Sequence, residues 1–152
     1  MSRTTFPGIA LSMAAVLCLA GCSQSENTEI ALDGEMLHRF SERCQSDPEG
    51  TSVDLSGVFD VEWDSITFAT SGASYGDIAD ASGASWSEEV KQRTVFDQLI
   101  VLTRDGVALK AYDAEGAPFR IVGENADVWT VPFPGTATIE RMGCSFDASA
   151  TI

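Results

Sequence analysis

The apolar positions of TVFDQLIVLTRDGVALKAYD, residues 94–113, fall in two runs separated by Arg104-Asp105-Gly106. Asp-Gly between two such runs predicts a β-hairpin, because both residues tolerate the positive φ of a type I′ turn. In the first run Val95, Leu99 and Val101 share one parity while Phe96, Ile100 and Leu102 share the other. A strand apolar on both faces belongs in the middle of a covered sheet. In the second run Val107, Leu109 and Ala111 alternate with Ala108, Lys110 and Tyr112.

Upstream, Leu32, Met36, Leu37, Phe40 and Cys44 trace one stripe of a helix over residues 30–46, with Glu35, His38, Arg39, Glu42 and Arg43 mostly opposite. Thr28 and Asp33 both qualify as its N-cap, and Asp47-Pro48 and Gly50 stop it. Residues 53–70 read as extended chain. Phe59, Val61 and Trp63 alternate with Asp60, Glu62 and Asp64, and then Ile66 and Phe68 change the parity. Either a bulge sits near Asp64-Ser65 or Trp63 belongs to a turn before the strand proper. Tyr75, Ile78 and Ala79 predict a short helix over 74–81 ended by Gly83.

The hairpin is followed by a third strand, PFRIVG at 118–123. Pro132 and Pro134 then restrict ENADVWTVPFPG, 124–135, to a sheet edge or a loop, and TATIERMGCSF, 136–146, reads as a final strand carrying Cys144. These elements predict an α+β fold: an antiparallel sheet of four to six strands with the N-terminal helix packed on one face. One globular domain spans 30–147, and 148–152 is a tail.

The first residues change the picture. MSRTTFPG carries one cation, Arg3, and IALSMAAVLCLAG, residues 9–21, carries no charge. These are the parts of a secretory signal. At 1.5 Å per residue the apolar run covers about two thirds of a bilayer's hydrocarbon, too little for a permanent span. The run ends in Leu19-Ala20-Gly21-Cys22, which resembles the bacterial lipobox. The resemblance implies that the Cys22 thiol receives a diacylglyceryl group, that the chain is cut between Gly21 and Cys22, and that Cys22 becomes the first mature residue. Two or more acyl chains give a stable anchor where one binds only marginally. Residues 1–21 are then a signal peptide and 22–29 a tether carrying the lipidated Cys22, in the cell membrane or outer membrane and facing away from the cytoplasm. Ser23 after the cysteine resembles the outer-membrane signal where two membranes are present.

Removing residues 1–21 leaves 131 residues, enough for one domain, and takes away Arg3, so the formal charge goes from −14 to −15. Such a chain is repelled by nucleic acid and by anionic headgroups. Cys44 and Cys144 remain in a compartment that permits oxidation and predict one disulfide across about 100 residues; two free buried thiols are the alternative. One histidine, His38, and no CxxC pair leave no metal centre, and no cofactor motif appears.

The stretch VDLSGVFDVEWDSITFA, a short helix and FDQLIVLTRDGVALKAY together resemble a set of small bacterial lipoproteins. In those an Asp-Trp-Asp strand precedes a short helix and a hydrophobic–Asp-Gly–hydrophobic hairpin. The match covers about residues 53–140. Glu62 stands where the pattern has its first Asp, and Ala73-Ser74-Tyr75 where it has Pro-Tyr. The resemblance implies a fold and brings no catalytic residues with it.

Two functions follow as expectations. The first is a non-catalytic module, anchored in the membrane through its lipid, that binds an envelope protein or ligand; no GxSxG, Cys/His pair or phosphate loop argues otherwise. The alternative is a hydrolase using carboxylates such as Asp60 and Asp64. Three acids on one strand face raise the question of calcium, but the spacing lacks the glycine and bidentate acid of a calcium loop. Trp86, flanked by Ser85 and Ser87, is the tryptophan expected to be an exposed ligand platform beside Tyr75.

Overall fold

The computed structural model describes residues 27–123, 126–140 and 144–148. The signal-like segment, Cys22 and residues 149–152 lie outside the described residues. No helix among the described residues is long and apolar enough to cross a membrane.

The fold is α+β, built on two sheets. The first contains β1 (Ile30–Ala31), β3 (Ser65–Thr70), β4 (Gln98–Arg104), β5 (Val107–Asp113) and β7 (Val128–Pro132) in the order β1-β5-β4-β3-β7. The second contains β2 (Ser52–Asp54), β6 (Arg120–Val122), β8 (Thr136–Glu140) and β9 (Ser145–Asp147) in the order β2-β8-β9-β6. The β1–β5 and β6–β9 pairs are parallel and the rest antiparallel. There are also helices α1 (Gly34–Ser46), α2 (Tyr75–Ser82) and α3 (Glu88–Lys91) and a single 3-10 turn at Leu55–Gly57 among the described residues.

The first sheet is the middle layer. Ile66, Phe68, Ile100, Leu102, Tyr112 and Val131 pack on one side with Met36 and Phe40 of α1 and with Val53, Ile121, Ile139 and Phe146 of the second sheet. On the other side Ala69, Leu99, Val101 and Ala111 meet Ile78 and Ala79 of α2 and the loop residues Ala84, Trp86 and Val95. The doubly apolar β4 is accordingly the central strand. At the hairpin Asp105 (φ 53°) and Gly106 (φ 74°) are both left-handed, as a type I′ turn requires. Ser74 caps α2 and Gly83 (φ 71°) ends it, where a Cβ would strike the Gly106 carbonyl.

Several elements differ from the sequence reading, each for a local reason. The N-terminal helix starts at Gly34, because the Asp33 carboxylate accepts from the Glu35 and Met36 amides at 3.1 Å, while Ile30–Ala31 extend along β5. Leu32 is therefore 77 % exposed and leaves the buried stripe. The tether read as 22–29 ends before Thr28: its amide donates to the Ser85 carbonyl at 2.7 Å, and the Ala111 amide donates to the Glu29 carbonyl. At the other end Ala148, read as tail, is buried and its amide donates to Val122.

PFRIVG does not extend the hairpin sheet. The outer edge of β5 is taken at Ala111 and Tyr112 by β1, and the buried Gln98 side chain holds β6 in the second sheet, donating to the Phe119 carbonyl and accepting from the Ile121 amide. Residues 136–146 form two strands, with β9 folded back on β8 so that Ile139 faces Phe146. Cys144 (φ 59°) precedes β9.

Phe40 is the centre of the larger core. Its ring lies 4.9 Å from Phe119, 5.0 Å from Phe146 and 6.0 Å from Phe59. Cys44, one turn further along α1, forms a disulfide with Cys144 with Cα atoms 5.6 Å apart. Phe40→Ala is expected to lower unfolding free energy by about 3–5 kcal/mol in urea titrations, as deletions of buried aromatics do. Replacing both cysteines by alanine is expected to cost about 4–5 kcal/mol by the chain-entropy argument for a loop of that length. A loss under about 1 kcal/mol in the same titrations would show that the cross-link constrains little.

Candidate functional site

A cleft of about 630 Å³ lies between the 59–64 loop, the β4–β5 turn and Phe133. Residues 59–64 are not the strand that their alternation suggested. Phe59 and Trp63 point inward, and Asp60, Val61 and Glu62 are exposed. The Asp64 amide donates to the Thr103 carbonyl and the Asp64 carbonyl accepts from the Phe133 amide at 2.8 Å. Asp64 is thus pinned between β4 and the end of β7, and β3 starts one residue later. Of the two readings of the parity break, the turn before the strand is the one observed.

Phe133 forms one wall. It is 53 % exposed and its ring stands edge-on to Trp63, with centroids 5.0 Å apart and planes at 75°. Gly135 leaves space for the indole: a Cβ there would lie 3.2 Å from Trp63 and 3.0 Å from Val131.

The three acids of the loop have three separate partners. Asp60 receives two hydrogen bonds from the Arg39 guanidinium, at 2.7 and 3.0 Å, and Arg39 also donates to the Val58 carbonyl and to Glu35. These bonds hold the Asp60 carboxyl below its ordinary value of 3.8 and raise Arg39. Glu62 pairs with Arg104 at 2.8 Å. Asp64 accepts from the Asp105 amide at 2.6 Å and from the Ser65 hydroxyl at 3.3 Å, which fastens the hairpin turn to the loop. A general acid needs a raised pKa, and the hydrogen bonds from Arg39 move Asp60 the other way. Among the described residues neither histidine nor cysteine lines the cleft. Among the described residues no three His, Cys, Asp or Glu side chains converge as a metal site. His38 lies on the exposed side of α1, 3.3 Å from Glu42.

Trp86 and Tyr75 do meet, at 5.2 Å and 78°, but Trp86 is only 6 % exposed. Its indole N–H donates to the Thr28 carbonyl, and the Ser85 amide donates to the Thr28 hydroxyl. The flanking serines mark an extended segment closed over by residue 28, and the expected exposed platform is instead part of the core. Burial pushes the half-buried Tyr75 hydroxyl up. Trp129 donates to the Ala148 carbonyl and lies over Phe68. Among the described residues two exposed rings were missed by sequence reasoning: Phe96, read as part of the two-faced strand, precedes β4 and is exposed, and Phe133 lines the cleft. The signal for Phe133 was the Pro-Phe-Pro setting, which keeps residue 133 out of a paired strand interior.

No family model, curated protein or solved structure matches this chain.

The Asp60–Arg39 pair has a pH signature. Because the folded-state pKa of Asp60 is depressed, its contribution is complete above the ordinary value of 3.8 and is lost as pH falls through the lower folded value. The stability difference between the unaltered chain and Asp60→Asn is therefore expected to be constant from neutral pH to about 5 and to vanish on further acidification. Urea midpoints measured across that range check it; a difference that survives at the acid end would assign the effect to something other than this pair.

Proposed function

We propose that the chain is a bacterial lipoprotein, moored through diacylglyceryl-Cys22 to the cell membrane or outer membrane. Its acidic extracytoplasmic domain binds an envelope protein or ligand and performs no chemistry. The observation that carries the mooring is Leu19-Ala20-Gly21-Cys22 at the end of an uncharged thirteen-residue run. The Cys44–Cys144 disulfide supports an oxidising compartment. The engagement of Asp60 by Arg39, of Glu62 by Arg104 and of Asp64 by the Asp105 amide supports a binding role, since each of these carboxylates is already held by a donor.

Among the described residues the first backbone hydrogen bond to the body is made by Thr28, six residues after Cys22. A fully extended chain of that length reaches about 20 Å. The domain therefore works close to the surface that holds it, within reach of partners in or on the same membrane.

Cys22→Ser is expected to leave the chain uncleaved and unlipidated. Intact-mass measurement should then show the full chain without the acyl increment, and detergent phase partitioning should move it to the aqueous phase. An unaltered mass and partition would overturn the mooring.

A further inference from the structure

We propose that the cleft beside Phe133 receives a lysine or arginine side chain carried on an extended polypeptide segment of the partner. This rests on the reading of the domain as a binding module and names the chemistry of what it binds.

Charge argues first. The cleft is lined by four carboxylates, Asp60, Glu62, Asp64 and Asp105; Arg39 pairs with Asp60 and Arg104 with Glu62, which leaves Asp64 and Asp105 without a cationic partner among the described residues. The Asp105 carboxylate makes no hydrogen bond or ion pair with any described residue; only its backbone amide is engaged, by Asp64. Among the described lining residues an anionic ligand would find no unpaired cation, whereas a cationic one finds Asp105 open.

The aromatic wall argues next. The ring of Phe133 is half exposed and held in place by the edge contact with Trp63. A cation over such a face is attracted by the ring quadrupole, and the methylene stem of Lys or Arg covers the rest of the apolar surface, including Val61. A guanidinium or ammonium at this wall would have Phe133 on one side and the loop and turn carboxylates on the other.

Shape selects a polypeptide over a small cation. The volume is that of a small-molecule pocket, but eight of the ten lining residues are exposed and only Phe59 and Trp63 are buried. A small ligand needs most of its surface enclosed to bind well. An open cleft on the outside of a turn instead suits a segment that spreads its contacts along the surface, with one side chain inserted.

The test uses the full-length chain purified in detergent. It is titrated by calorimetry with a capped pentapeptide alternating lysine or arginine with leucine, and with the same peptide carrying glutamate for each cation. Binding of the basic peptide only, weakened about tenfold by Phe133→Ala, is the expected result. Glu62→Gln combined with Asp105→Asn should weaken it about five- to tenfold at low salt and under twofold at high salt. Asparagine tolerates the left-handed backbone of residue 105, so the turn is kept. Asp80→Asn combined with Glu89→Gln removes the same charge from exposed positions outside the cleft and should leave affinity within twofold.

Equal binding of the acidic peptide, or equal loss in the Asp80/Glu89 control, overturns the proposal. So does arginine amide matching the peptide's affinity, or a neutral oligosaccharide exceeding it. The membrane anchor is read separately by Cys22→Ser, so failed peptide binding by an anchored chain overturns this inference alone.

Discussion

The ring of Phe40 touches Phe59, Phe119 and Phe146, and through it one helix, one loop and the second sheet are held against the same face of the first sheet. A helix of thirteen residues is marginal by itself in water, so α1 depends on this contact for its position and much of its stability. Its neighbour Arg39 then points outward and reaches the Val58 carbonyl and the Asp60 carboxylate. The buried ring thus determines where the guanidinium stands, and the guanidinium determines where the 59–64 loop runs. The disulfide one turn beyond fastens the helix to the start of β9.

The cleft inherits its order from these constraints. Its loop is tied at Asp60 to the helix, at Glu62 to the end of β4 and at Asp64 to both the hairpin turn and the end of β7. Asp60 and Glu62 are paired with the guanidinium groups of Arg39 and Arg104, whereas Asp64 is held by a backbone amide and a hydroxyl, which position its charge without neutralising it. On a chain of formal charge −14, this makes an apolar wall at Phe133 accessible to cations and unwelcoming to anions. Buried polar groups in the interior are matched with the same care. Thr67 meets the Thr130 hydroxyl across β3 and β7, and Thr103 donates to the Ser82 carbonyl.

Much of the fold was legible because its signals are local. Asp105-Gly106 set the hairpin, Ser74 and Gly83 bounded α2, and Leu99 to Leu102 of the two-faced apolar pattern marked the central strand, whereas Phe96 of that pattern precedes the strand and is exposed. Pro132 placed β7 at an edge, where it lies beyond β3. The candidate site was legible only in part. Asp60, Glu62 and Asp64 stood out together, but the period-two pattern around them suggested a strand when the inward positions, Phe59 and Trp63, were two separate anchors of a loop. Trp86 looked exposed because its sequence neighbours are serines, while the residue that covers it, Thr28, lies 58 positions away.

Composition, capping residues and turn chemistry by themselves determined the α+β class, the main helices, the hairpin, the acidic character and the pair of cysteines available to join. Tertiary structure alone decided that the strands divide between two sheets, that β1 rather than β6 covers β5, and that Phe133 rather than Trp86 faces solvent. The physical reason is the range of the interactions. A cap or a tight turn is settled by residues a few positions apart, whereas a sheet edge, a buried Gln98 bridging two sheets and an aromatic wall exist only when distant segments compete for the same surface.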